Sequence, residues 1–216
     1  MIKLVIFDLD GTLVNSLTDL ALSVNFALKE VGLKPYDIDC YRQFVGNGRD
    51  VLIKKALADK SDDTVLFEKV KKLFDEHYET HSLDNTHAYE GAGKLLDELK
   101  HKGILTAVHS NKPDEFVAKI LNKAFPGYEF TFAFGQRKEF KRKPSGDAVK
   151  AMMKELDLSP DECIYVGDSD VDVLTGHDAD IKVCGATWGF RGKDELIATG
   201  ADYTIDTPTE LLNILF

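Results

Sequence analysis

Four groups of polar residues in this 216-residue chain sit on or near short apolar runs. Asp8 and Asp10, then Gly11-Thr12, follow the run at residues 4–7. Ser110, Asn111 and Lys112 come just after a run at 104–108. Gly167, Asp168, Asp170 and Asp172 come after 163–166, and Lys143-Pro144 lies ahead of that run. Crowded carboxylates raise one another's pKa unless a cation lies among them. All-oxygen donors suit a hard ion, and Mg²⁺ held by one or two carboxylates and a substrate phosphate is the usual arrangement. A hydroxyl and a lysine would complete a phosphate cradle. Each group alone has a bland explanation. Asp-x-Asp-Gly-Thr suits a turn, Ser110-Asn111 suits a helix cap before Pro113, and Lys143 belongs to a basic run with Lys138, Lys141 and Arg142. The ordered set, with its elements at strand ends, points instead to phosphoryl chemistry with Mg²⁺.

Positioning such a set requires strands that end on one edge. Runs at 4–7, 104–108, 130–134, 163–166, 181–184 and 203–205 are short and continuously apolar, as strands buried on both faces are. Helical spacing appears between most of them: Leu95, Leu96 and Leu99; Val117, Ile120 and Leu121; Val149, Met152, Met153 and Leu156. The alternation predicts an α/β fold with a doubly wound, mainly parallel, Rossmann-like sheet. In such sheets ligands bind beyond the carboxyl ends of the strands. Between the first two runs only helical patterns occur, among them Leu17, Leu20, Ala21, Val24, Leu28 and Val31 on one face, with Gly32 as a stop. We therefore expect an α/β core at 1–14 and 86–216, and an inserted all-helical domain of about four helices at 15–85.

Composition bounds the partners. Lys and Arg number 27 against 37 Asp and Glu, a formal net charge of −10. A nucleic-acid binder needs a basic face to neutralise phosphates, so this balance argues against nucleic acid and against an anionic membrane surface. A small anionic substrate remains compatible, because the local field matters more than net charge. Three cysteines without a Cys-x-x-Cys spacing suggest buried thiols in a reducing compartment. The apolar stretch before Asp8 is too short for a signal-peptide core or a membrane span. These features lead us to expect a cytoplasmic location.

Asp8-Leu9-Asp10-Gly11-Thr12, Ser110-Asn111-Lys112, Lys143-Pro144 and Gly167-Asp168-Ser169-x-x-Asp172 resemble, in order, the four motifs of the haloacid dehalogenase superfamily. Tyr89-Glu90-Gly91, Gly135-Gln136-Arg137 and Thr187-Trp188-Gly189-Phe190-Arg191 are similar to segments of its phosphoglycolate phosphatase branch. The resemblance implies a Mg²⁺-dependent phosphatase acting on a small phosphorylated metabolite. It implies Asp8 as nucleophile and Asp10 as acid, then base. It implies a metal site of Asp8, the Asp10 main-chain carbonyl and Asp168, with Asp172 nearby. Phosphoryl oxygens would meet Ser110, Asn111, Lys143 and Gly11. The helical insertion would be a mobile cap, whose loop residues Gly46, Asn47 and Gly48 would face the substrate; a tight turn before the following helix is the plain alternative.

Departures from the pattern bear on specificity. His109 stands where an aliphatic residue is usual, and a half-buried histidine with one hydrogen bond is expected there. Asp178 and Asp180 would add negative charge near the site. Arg191 could hold a substrate carboxylate, although a structural role suits it better. A phosphomutase, a pyrophosphatase or a nucleotidase are the competing enzymes. A dehalogenase is disfavoured by Asp10, and a non-catalytic module by the survival of all four motifs.

Overall fold

A computed structural model describes residues 1–216, which form two compact units: Met1–Asn15 with Ala88–Phe216, and Ser16–His87. Short strand segments, Val14–Asn15 and His87–Ala88, lie where the chain passes from one unit to the other.

The first unit is built on six strands: β1 (Leu4–Phe7), β2 (Leu105–Pro113), β3 (Phe132–Gln136), β4 (Cys163–Gly167), β5 (Lys182–Ala186) and β6 (Tyr203–Ile205). They pair in parallel in the order β3-β2-β1-β4-β5-β6. The strand β1 is central, with Leu4 opposite Leu105 on one side and Cys163 on the other. Its four side chains are buried on both faces, which is why the run is continuous rather than alternating. Burying each such side chain stabilises the fold by about 1.5–3 kcal/mol. One core cluster joins Leu4 and Ile6 to Val149, Met152, Tyr165 and Val183. Flanking helices carry their buried residues at three- and four-residue spacing, as Leu95, Leu96 and Leu99 do on Ala92–His101 and Phe116, Val117, Ile120 and Leu121 on Asp114–Ala124. The order reverses between β1 and β4, the switch point at which open α/β sheets bind ligands.

Two boundaries differ from the sequence expectation. The second strand runs to Pro113, so Ser110, Asn111 and Lys112 lie inside it and not behind it. The third starts at Phe132, two residues later than its apolar run. Ser110-Asn111 is therefore not a helix cap; the next helix opens after Pro113.

The second unit is all-helical. It contains α1 (Leu17–Glu30), α2 (Arg49–Leu57) and α3 (Thr64–His81), with two 3₁₀ segments, Ile38–Gln43 and Ala58–Lys60. Thus three α-helices stand where about four helices were expected. Ala21, Val24 and Leu28 on α1 and Val70, Phe74 and Tyr78 on α3 are buried at helical spacing. The buried Asp19 carboxylate accepts hydrogen bonds from the main-chain N–H groups of Asn85 and Thr86 and from both side chains, at 2.7–3.0 Å. Arg49 makes two bonds to Asp75. No helix is long and apolar enough to cross a membrane.

Candidate active site

Asp8 continues β1 by one residue. Its N–H donates to Val166 O at 2.8 Å, so the ladder itself places the carboxylate at the switch point. Behind it the chain turns sharply, and Leu9 O accepts the N–H groups of Leu13 and Val14. Gly11 permits this turn, with φ +96°, a conformation that disfavours any side chain. A Cβ at Gly11 would also lie 2.2 Å from an Asp168 oxygen.

Asp168 follows β4 and precedes the helix Asp170–Asp178. One Asp168 oxygen accepts the Phe190 N–H at 2.6 Å. Asp172, wholly buried, divides its oxygens. One accepts Ser169 N–H and Oγ–H at 3.1 and 2.7 Å, as a helix-capping residue does. The other accepts Lys143 Nζ at 2.7 Å. Lys143 also donates to Asp8 Oδ1 at 2.7 Å, so one ammonium bridges two carboxylates. Asn111 holds the main chain of Lys143 from both sides: its Oδ1 accepts Lys143 N–H at 3.0 Å and its amide donates to Lys143 O at 3.2 Å. Asp10 stands apart from that cluster, its carboxylate 3.2 Å from Lys112 Nζ.

Acidic ligand atoms from Asp8, Asp168 and Asp172 lie within 4.8 Å of one another. Burial and the neighbouring Asp172 charge push the Asp8 pKa up to about 7, against the pull of Lys143. Burial, then Asp172 and Asp8, raise Asp168 well above the ordinary carboxylate range. Burial opposes charge on Lys143, but Asp172 and Asp8 hold its pKa well above normal. With all three carboxylates ionised, one ammonium leaves an excess of two negative charges in a buried space, which the raised pKa values of Asp8 and Asp168 register. A divalent, oxygen-seeking cation fits that excess and that donor set. Glycines keep the space open: a Cβ at Gly189 would meet the Asp168 side chain at 2.2 Å, and one at Gly167 the Asp172 side chain at 2.2 Å.

The structure thus brings Asp8, Lys143, Asp168 and Asp172 together, with Asp10 two residues along. Gly11 and Asn111 sit beside them with altered parts. The Gly11 N–H donates to Val14 O and so is not available to a phosphate; the residue provides room for Asp168. The Asn111 side chain anchors Lys143. Ser110 is buried, and its Oγ accepts Lys112 N–H at 3.2 Å. Gly46, Asn47 and Gly48 belong to the helical unit, where Gly46 and Gly48 take φ +113° and +82° ahead of α2; the tight turn is present. His109 departs from expectation. It is fully buried and its Nδ1 has no hydrogen-bond partner, while burial and nearby Lys143 lower its pKa to about 3. It is a neutral ring set edge-on to Tyr165. Asp178 accepts Gly146 N–H at 2.7 Å and pairs with Lys150, so it fastens the segment after Lys143 and is not one of the clustered acids. Arg191 lies largely buried, 3.9 Å from Glu195.

Sequence reasoning gave no role to Gly167, Gly189 or the Phe190 N–H. They stand within the motif segments, but their contribution, the absence of a side chain or a main-chain donor, is not marked by hydropathy or spacing.

Residues 5–186 match the family described as haloacid dehalogenase-like hydrolase. The phosphoglycolate phosphatase of Vibrio parahaemolyticus is 33% identical, over 99% of this chain and 96% of its own. That of Pasteurella multocida is 35% identical, over 99% and 98%. The crystal structure of a predicted phosphoglycolate phosphatase from Haemophilus somnus superposes with a TM-score of 0.92 at 32% identity, covering 100% of this chain and 98% of that one. With this fold, and with its acids and lysine at these positions, the chain belongs to the haloacid dehalogenase-like hydrolase family.

Proposed function

We propose that this protein is a Mg²⁺-dependent phosphomonoester hydrolase that works through a phosphorylated Asp8, with phosphoglycolate as the first substrate to test. The observation carrying this reading is the Asp8 carboxylate at the sheet's switch point, gripped by Lys143 at 2.7 Å, with its oxygen within 4.8 Å of those of Asp168 and Asp172. The names of the relatives direct the choice of substrate.

In this reading Asp8 and Asp168 would hold Mg²⁺ with the main-chain carbonyl of Asp10, and Asp172 would lie behind them. When bound, the ion would neutralise charge on the phosphoryl oxygens. The Asp8 oxygen that is not held by the ion attacks phosphorus; an O–P bond forms to Asp8 and the ester P–O bond breaks. Asp10 gives its proton to the departing alkoxide. Asp10 then takes a proton from water as that water attacks the phosphoaspartate, which releases inorganic phosphate and restores Asp8. Lys143 stays at the Asp8 carboxylate throughout. The Ser110 hydroxyl, fixed by Lys112 N–H, keeps its own proton to donate to a phosphoryl oxygen.

A hydrolysis screen over phosphorylated metabolites tests this. Phosphate release should require Mg²⁺ and stop in excess chelator. Ca²⁺ should not support it, because its longer bonds and higher ligand number would draw both oxygens of Asp8 into coordination. Full rates in chelator, or equal rates with Ca²⁺, would refute the site.

The same cluster sets a stability test. Asp8 in the fold holds its proton up to about pH 7, whereas the unfolded chain releases it near the ordinary value of 3.8. The metal-free fold therefore binds more protons than the unfolded chain across that window. The contribution of Asp8 to its stability falls as pH rises from about 4 through 7. Mg²⁺ binds the carboxylate form and opposes this loss. The rise in Tm on adding Mg²⁺ is thus expected to be larger at pH 8 than at pH 5.5. A rise that is absent, or that shrinks with pH, contradicts the assignment.

A further inference from the structure

The strand β2 is buried on both faces like β1, but its last buried positions are polar. His109, Ser110, Asn111 and Lys112 are all buried in succession. The pairing of β2 with β3 is irregular over this stretch, between His109 and Pro113, and such bulges re-aim side chains beside active sites. Gly135 on β3 fits the irregularity closely, since a Cβ there would lie 2.6 Å from Lys112 O. The same stretch holds a second buried lysine. The Lys112 side chain is 4% exposed, and its Nζ stands 3.2 Å from Asp10 Oδ1. Burial of a lysine is unusual and calls for an anionic partner.

The two lysines face different acids. Lys143 Nζ is engaged by Asp8 and Asp172, which places it at the phosphorus side of the reaction. Lys112 is at Asp10, the residue that in the reading above meets the ester oxygen of the leaving group. An ammonium there lies beside whatever the leaving alcohol carries next to that oxygen.

We propose that Lys112 is a specificity-determining residue that selects phosphomonoesters whose leaving alcohol bears a carboxylate close to the ester oxygen. The inference rests on the phosphatase reading and deepens it. With such a substrate bound, the carboxylate takes the Lys112 ammonium as its partner and frees the Asp10 oxygen to face the ester oxygen. A neutral alcohol offers Lys112 nothing, and Lys112 remains on Asp10. Selectivity then comes from a buried lysine of the α/β unit, through charge at a position set by a β-bulge.

The test compares kcat/KM for 2-phosphoglycolate and for ethyl phosphate, which has the same short chain without the carboxylate, at saturating Mg²⁺. Wild type should favour phosphoglycolate. In K112Q the ratio of the two values should fall about 10- to 100-fold, the range expected for one charge-assisted hydrogen bond. K112R should recover most of the ratio. An equal loss on both substrates would show a merely structural lysine and overturn the proposal, as would an unchanged ratio. Wild type alone also decides, should K112Q fail to fold. Equal kcat/KM on the two substrates overturns the role of Lys112 while the phosphatase reading stands. A wild type inert toward both, and toward p-nitrophenyl phosphate, overturns that reading itself.

Discussion

Asp8→Asn is expected to lower turnover at least about 10⁴-fold while the protein stays folded, a loss of the size seen when a nucleophile is removed. The amide keeps the shape of the side chain but cannot attack phosphorus. The sheet does not depend on the charge: Asp8 joins it through its main-chain N–H, to Val166 O. The change even relieves repulsion, because Asp8 shares a buried space with Asp168 and Asp172 and its own carboxylate form is held back to about pH 7. Lys143 keeps its second partner, Asp172. The Tm in chelator should therefore be no lower than that of wild type, and the Mg²⁺-dependent rise should shrink, since one ligand is gone. Turnover of phosphoglycolate and p-nitrophenyl phosphate, with Tm with and without Mg²⁺, measures all of this. A folded variant retaining more than about 1% of wild-type turnover would remove Asp8 from the nucleophile's role.

Asp10→Asn should separate the two half-reactions. The first needs a proton for the leaving oxygen, and an alkoxide such as glycolate needs it far more than nitrophenolate does. The second needs a base for water whatever the substrate was. The Asp10 carboxylate lies outside the Asp8, Asp168 and Asp172 cluster and pairs with Lys112. The variant should therefore keep its Mg²⁺-dependent stabilisation. On phosphoglycolate it should fail at the first step. On p-nitrophenyl phosphate it should release about one nitrophenolate per active site in a burst and then stall, as covalent catalysis with a blocked second step requires. Mass spectrometry should find added phosphate on the peptide carrying Asp8. A folded, metal-responsive variant with neither burst nor phosphopeptide would deny Asp10 this double part. A full steady-state rate would show that another group activates the water.

Much of this protein could be read from local sequence. The run Leu4–Phe7 declares a central strand because four successive apolar residues suit only burial on both faces. Asp8 and Asp10 were legible for the same reason: a strand that ends in acids delivers them to a sheet edge. The helices Ala92–His101, Asp114–Ala124, Asp147–Glu155 and α1 follow from apolar spacing, which a chain carries within about ten residues. What the sequence left open depends on residues far apart in the chain. The second strand reaches Pro113 because β3 supplies a neighbour with a glycine where Lys112 O comes close; local hydropathy stops at Val108. Asn111 reads as a helix cap or a phosphate contact until the fold brings Lys143, 32 positions on, into its grasp. His109 reads as half-buried until Tyr165 and the segments around it close over the ring. Gly167 and Gly189 stand in recognisable segments, but their part is silent, since space for a carboxylate has no pattern of its own. The types of residue that can do chemistry are thus a local property of this chain. Their protonation, their spacing and the room they occupy were decided by the tertiary structure, because burial and Coulomb interaction act between side chains that only the fold makes neighbours.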